Sequence, residues 1–240
     1  SGASRLGHKG EGDFVTAPEL SPLFAQCLAW QCSEVLANLG GGAILEFGAG
    51  SGALAAELLG ELSRLGRPPS HYYILELSPV LRQRQWSVLQ ARVPGLIERV
   101  TWLEGLPETP MQGVILANEV LDALPVQCFR ASGPDLLVRG VGLAEDDRLV
   151  WRTQPAKEHL AAAVARIRAG LNEPWPAVYD AEWCPSLAAW VASLAQCLRR
   201  GLILLFDYGY PRQTYYHPAQ ATGTLRCFYR HHVHDDPFFW

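Results

Sequence analysis

The chain has 240 residues, 49% of them apolar and 18% charged, with a net charge of −4 and a pI of about 6.0. That is enough chain for one large domain or a domain carrying an insertion, in ordinary globular proportions. The acidic balance argues against a polyanion-binding surface, which needs clustered Lys and Arg, and no apolar run approaches the length of a membrane span.

In chain order, Ser4 to Gly12 is polar and glycine-rich and reads as a loop. The segment Gly12-Asp13-Phe14-Val15-Thr16-Ala17-Pro18-Glu19 carries Phe14 and Val15, too apolar for a free tail, and is expected to pack on the fold. Ser21-Pro22 supplies an N-cap and an N1 proline. The helix that follows runs to about Leu39, with Leu23, Phe24, Cys27, Leu28, Val35, Leu36 and Leu39 on one face, and Gly40-Gly41-Gly42 stops it. Ala43 to Phe47 is a short apolar run, a buried strand, and Gly48-Ala49-Gly50-Ser51-Gly52 is a glycine-rich turn. From Ala53 to Leu62 the apolar residues Leu54, Leu58, Leu59 and Leu62 have helical spacing.

His71 to Leu77 is a second strand, Ser78-Pro79 opens a helix to about Arg92, and Val100–Leu103 and Gly113–Ala117 are the third and fourth strands. Strands alternating with helices predict a doubly wound, mainly parallel sheet. The alternation breaks after Pro125. Val126–Arg130, Leu136–Leu143 and Arg148–Thr153 read as strands, with Glu145-Asp146-Asp147 as a turn, and predict an antiparallel insertion between strands four and five. Helices are expected over Ala156–Leu171 and Pro185–Arg200, the latter with Leu187, Trp190, Val191, Leu194 and Leu198 inward, and a fifth strand over Leu202–Phe206. The chain then turns aromatic and histidine-rich and stops at Phe238-Phe239-Trp240, so a C-terminal continuation is expected. As one domain, 13–125 with 185–210 would form the core, 126–184 the substrate-side insertion and 211–240 an extension.

The chemistry is expected beyond the carboxyl ends of the strands, where open parallel sheets bind ligands. Strand, glycine turn and helix let backbone approach a nucleotide and aim helix N–H groups at it. Gly48, Gly50 and Ala53 satisfy the dinucleotide fingerprint on their own, so NAD competes with S-adenosylmethionine for this turn. Glu46 favours the latter: a carboxylate there needs a cationic or hydrogen-bonding partner, and the ammonium end of S-adenosylmethionine is one. Glu76, closing the run Tyr72-Tyr73-Ile74-Leu75, is placed to accept both ribose hydroxyls of either cofactor. Asn118-Glu119-Val120-Leu121-Asp122 follows the fourth strand. Glu119 and Asp122 would lie one turn apart if a helix starts there, a pair suited to a guanidinium; an Asn-capped helix start with acidic residues favouring the dipole is the alternative.

Six cysteines are scattered through apolar contexts with no C-x-x-C pair, which suits small hydrophobes in a reducing compartment. Cys227, His231, His232 and His234 match no standard zinc spacing, and no metal is expected.

Several segments together carry a resemblance: Gly12-Asp13-Phe14-Val15-Thr16-Ala17-Pro18-Glu19-Leu20-Ser21-Pro22-Leu23-Phe24, Glu46 to Gly52, and Asn118-Glu119-Val120-Leu121-Asp122-Ala123-Leu124-Pro125-Val126. To these are added Asp207-Tyr208-Gly209-Tyr210, and Gly223-Thr224-Leu225-Arg226 with Tyr229-Arg230-His231 and Asp236-Pro237-Phe238. The chain resembles the MidA-like methyltransferase family, whose mitochondrial members act as complex I assembly factors that dimethylate an arginine of a complex I subunit. The resemblance implies a class I methyltransferase, Rossmann-like in fold, that uses S-adenosylmethionine to methylate arginine on a protein partner such as a respiratory-complex subunit. It implies residence in a bacterial cytoplasm or a mitochondrial matrix, with no nucleic-acid partner and a dimer as one oligomeric option. An assembly protein that binds the cofactor with dispensable catalysis, and a small-molecule methyltransferase, are the other readings. The cofactor is expected on Thr16, Pro18, Glu46, Gly48, Ala49, Gly50, Gly52, Glu76, Leu77 and Asn118, with Thr16 and Pro18 closing over it, and catalysis is expected from Glu119 and Asp122.

Overall fold

The computed structural model describes residues 21–229 and 232–239. The segment Gly12–Glu19, with the expected cofactor residues Thr16 and Pro18, lies outside the described residues. The chain groups into two compact units: one runs to Ala123 and resumes over 188–207, the other comprises 124–187 and 208–240.

The first unit is built on a five-stranded sheet in the order β3-β2-β1-β4-β9. The strands are β1 (Ala43–Phe47), β2 (Tyr72–Leu75), β3 (Val100–Leu103), β4 (Met111–Asn118) and β9 (Leu198–Phe206), and every neighbouring pair is parallel. Helices α1 (Pro22–Leu39), α2 (Ala53–Arg64) and α3 (Pro79–Arg92) cover one face, and α5 (Leu187–Gln196) the other. The order reverses between β1 and β4, which makes their carboxyl ends the switch point of a doubly wound sheet. β1 is buried along its whole length, as a central parallel strand with both faces covered must be.

Helix α1 starts and ends as its sequence predicts: the Ser21 hydroxyl accepts from Leu23 N–H, and Gly40 takes the left-handed cap at φ 74°. Its inward face differs from the expected one. Leu23 is 65% exposed and Cys27 is exposed, while Ala25, Leu28, Ala29, Cys32 and Leu36 are buried. Small residues set the face because they let α1 sit close to its neighbours, so the stripe is rotated away from the bulkiest side chains.

The expected helix over Pro185–Arg200 is shorter, ending at Gln196, and the fifth parallel strand begins at Leu198. β9 pairs along all of β4, with a register shift between Met111 and Gln112, so its charged start, Arg199-Arg200, is strand and not helix. Glycine makes this packing feasible. A Cβ on Gly113 would strike the Ala43 backbone and one on Gly201 the Gly113 backbone, both at φ near 150° where L side chains are rare.

The second unit holds an antiparallel sheet in the order β7-β6-β5-β8. It comprises β5 (Gln127–Ser132), β6 (Asp135–Leu143), β7 (Leu149–Pro155) and β8 (Val178–Trp183), and its core packs Phe129, Tyr179 and Trp175 against α4 (Glu158–Ala169). The antiparallel insertion between the fourth and fifth parallel strands is therefore as expected, with one strand more: β8 was not legible. Asp180 and Glu182 sit buried in the middle of β8 and break its apolar alternation. Each is matched internally. Arg130 grips Asp180 in bidentate fashion at 2.6 and 2.7 Å, with Arg139 at 2.9 Å, and Thr224 donates twice to Glu182 at 2.9 Å. A short helix α6 (Arg212–Tyr215) and the hairpin β10 (Cys227–Tyr229) and β11 (His232–His234) complete this unit. All six cysteines are free, and among the described residues no helix is long and apolar enough to cross a membrane.

Candidate functional site

The site is assembled at the carboxyl ends of β1, β2, β4 and β9. Phe47 stands opposite Leu75 on one side and Ala117 on the other, so the turns after β1 and β4 leave the sheet side by side. They touch: a Cβ on Gly48 would come within 3.2 Å of Val120 Cγ2.

The glycine turn is left-handed at three positions, Gly48 (φ 62°), Gly50 (φ 52°) and Gly52 (φ 85°), a conformation other residues enter at a cost of about 1–2 kcal/mol each. Gly50 has open space where a side chain would stand. Gly52 is the N-cap of α2 and contributes no side-chain bond to its first turn, which leaves those backbone donors without a side-chain cap, as an anion- or nucleotide-binding helix start requires. Ala49 is buried and Gly48 exposed.

Glu76 stands at the tip of β2 with its carboxylate oriented from both sides. Its Oε1 accepts from Ser78 N–H at 2.9 Å and its Oε2 from the Gln85 amide at 3.2 Å. A carboxylate has about four lone-pair sites, which leaves acceptor capacity for a pair of hydroxyls. Arg82 fixes the backbone around it, donating to the Glu76 carbonyl at 2.6 Å and pairing with Glu104 at 3.0 Å. Leu77, beside it, is 68% exposed, an apolar side chain left uncovered at the rim.

Glu46 lies one residue before the end of β1 and is 3% exposed. The partner that the sequence argument asked of a cofactor is supplied within the fold: the fully buried Tyr72 hydroxyl donates to Glu46 Oε2 at 2.7 Å. Burial pushes the Glu46 carboxyl up to about 7, against the opposing pull of that hydrogen bond.

After β4 there is no helix. Asn118 ends the strand and Glu119 turns left-handed at φ 53°. The N–H groups of Val120, Leu121 and Asp122 then converge on one oxygen, Asp207 Oδ2, at 3.1, 2.7 and 3.3 Å. The capped helix start is thus excluded, and the turn is shaped by an acceptor that immediately follows β9. Glu119, Asp122 and Asp207 form a cluster of carboxylates. Partial burial and then the charges of Asp122 and Asp207 raise the Glu119 carboxyl, and partial burial with Asp207 raises that of Asp122. Asn118 directs its side-chain amide to Glu119.

Of the residues expected from sequence, Glu46, Gly48, Ala49, Gly50, Gly52, Glu76, Leu77 and Asn118 lie around the carboxyl ends of β1, β2 and β4, with Glu119 and Asp122 beside them. Two residues were missed in these roles. Asp207 stood at a strand end but its capping function needs the three-dimensional turn. Gln85 is buried on α3, four residues before buried Leu89, and a polar residue on an inward helical stripe was the only signal.

The geometry suits an adenosyl cofactor: a left-handed glycine turn open at Gly50, a helix N-terminus, and an oriented carboxylate one strand away. Comparison with known proteins agrees. The profile of the family described as "Putative S-adenosyl-L-methionine-dependent methyltransferase" matches residues 27–240. Protein arginine methyltransferase NDUFAF7, mitochondrial, of Mus musculus is 30% identical over 96% of this chain and 55% of its own length, and that of Bos taurus 28% over 94% and 54%. The chain spans about half the length of the curated relatives it matches. A crystal structure of a protein from Burkholderia thailandensis bound to S-adenosyl-homocysteine is 43% identical and superposes with a TM-score of 0.85, covering 95% of this chain and 57% of that one. A native structure from the same organism gives 43% and 0.86, covering 96% and 60%. Sheet order, glycine turn and profile agree, and the chain belongs to the MidA-like family of S-adenosylmethionine-dependent methyltransferases.

Proposed function

We propose that this chain provides the cofactor site and the substrate carboxylates of a protein-arginine N-methyltransferase. The observation that carries the reading is the placement of a left-handed glycine turn and a carboxylate cluster on adjacent strands at the switch point of the sheet. The name of the mouse relative and the S-adenosyl-homocysteine in the Burkholderia thailandensis structure support it.

Gly48, Gly50 and Gly52 would hold the methionine end through backbone, Glu46 would face its ammonium, and Glu76 would accept the ribose hydroxyls. When bound, S-adenosylmethionine supplies an electrophilic methyl group on a sulfonium. Glu119 and Asp122 would grip a guanidinium, whose planar donors match carboxylates. Methyl transfer forms a nitrogen–carbon bond and a proton must leave that nitrogen. Glu119, whose carboxyl is raised by partial burial and by the charges of Asp122 and Asp207, is suited to receive it. Holding the nitrogen roughly 3 Å from the methyl group supplies much of the rate by orientation alone. Asp207 would keep Glu119 and Asp122 in place through the turn they flank.

The test uses the full-length protein, methyl-labelled cofactor and a lysate. Glu119→Gln with Asp122→Asn should lose about 100-fold or more in protein labelling while binding S-adenosyl-homocysteine as tightly as the unmodified protein. Full labelling by the double variant would remove both residues from the reaction.

A further inference from the structure

Gln85 is completely buried, and its amide makes contacts in three directions. Nε2 donates to the Gly50 carbonyl at 3.1 Å and to Glu76 Oε2 at 3.2 Å, and Oε1 accepts from Trp102 Nε1 at 2.8 Å. The backbone of the same residue lies against the turn: a Cβ on Gly52 would meet Gln85 Cα at 3.0 Å and its Cβ and Cγ at 3.3 Å. One residue of α3 thus joins the glycine turn after β1 to the carboxylate after β2. The Trp102 indole, held on β3, fixes which end of the amide points at them, because an indole N–H only donates and so requires the amide oxygen. The two N–H groups are left for the carbonyl and the carboxylate.

We infer that Gln85 is a positioning residue for the adenosyl cofactor, setting the distance and orientation between the backbone that takes its methionine end and the Glu76 carboxylate that takes its ribose. This rests on the cofactor reading given above. With Ser78 N–H on Oε1 and Gln85 on Oε2, each Glu76 oxygen is restrained by a protein donor and presents its remaining lone pairs in one orientation. Without the amide donor, only the Ser78 N–H would restrain the Glu76 carboxylate, which would give up affinity to order itself on binding.

The test is calorimetry on folded full-length protein with two ligands, S-adenosyl-homocysteine and its 2′,3′-dideoxy analogue. Two variants are used: Gln85→Met, close in shape but without polar atoms, and Gln85→Leu, which removes the amide with a second apolar shape. Both should bind S-adenosyl-homocysteine about tenfold more weakly or worse, while affinity for the dideoxy ligand, which keeps the methionine-end contacts without the ribose hydroxyls, falls by a clearly smaller factor. Adding Glu76→Gln to Gln85→Met should cost no more than Glu76→Gln alone, the mark of two residues acting as one. Equal loss of both ligands, additive losses, or unchanged binding of S-adenosyl-homocysteine by either variant would overturn the inference and leave Gln85 as packing. If the unmodified protein fails to bind S-adenosyl-homocysteine, or Glu76→Ala binds it undiminished, the cofactor reading itself falls and the inference with it.

Discussion

Glu46 is where burial and charge conflict most sharply. A carboxylate 3% exposed cannot stay ionised cheaply, and a single neutral donor, Tyr72, offsets only part of that cost. The folded state therefore keeps the proton up to about 7, whereas an unburied Glu releases it near 4.5. The sign follows from proton counting: this group's contribution to stability is complete below 4.5 and is lost as pH rises through about 7. Glu46→Gln keeps an acceptor for Tyr72 and abolishes the titration. Thermal midpoints between about pH 5 and 8 should fall more steeply for the unmodified protein than for this variant, and parallel curves would contradict the assignment. If Glu46 faces the ammonium group of the cofactor, as proposed, that charge would reverse the preference by favouring the carboxylate.

At the scale of the element, the turn after β4 concentrates the strain of the site. Glu119 is a non-glycine residue at φ 53°, a conformation that costs about 1–2 kcal/mol and that proteins retain where function requires it. Three backbone donors gathered on one Asp207 oxygen hold it there. Glu119→Gly should therefore raise stability by about 1 kcal/mol in denaturant unfolding and abolish methyl transfer. A destabilised variant would show that the carboxylate, and not the backbone, sets the turn. Such a turn could not be read from Asn118-Glu119-Val120-Leu121-Asp122, because the acceptor that shapes it, Asp207, arrives 85 residues after Asp122, just past the end of β9. Local signals did locate much else. Ser21-Pro22, Ser78-Pro79 and the glycine turn mark their element boundaries through bonds made within a few residues. What failed were elements whose residues are satisfied at a distance. In β8, Asp180 and Glu182 look like loop residues until Arg130, Arg139 and Thr224 are brought to them, and α1 turns its alanines inward and leaves Leu23 exposed.

For the molecule as a whole, strand order decides where chemistry can occur. The parallel sheet reverses between β1 and β4, and the glycine turn, Glu76, the Asn118–Asp122 turn and Asp207 are delivered to that edge by four separate strands. The antiparallel unit is held differently, by the ion pairs of Asp180 with Arg130 and Arg139 and by the Gly223-Thr224 loop closing on Glu182: Thr224 supplies two donors to the carboxylate, and a side chain at Gly223 would collide with it. This gives the Gly223-Thr224 pair a structural reason independent of catalysis. Under the proposed function, Glu119 and Asp122 hold an arginine side chain. This is tested most directly by mass spectrometry of methylated peptides and metabolites in cells with and without the gene. At least one ω-N-methylarginine mark on a protein should disappear when the gene is removed and return with the unmodified gene, but not with Glu119→Gln plus Asp122→Asn. Loss of a methyl mark on lysine, glutamine or a metabolite, with every arginine mark intact, would contradict it.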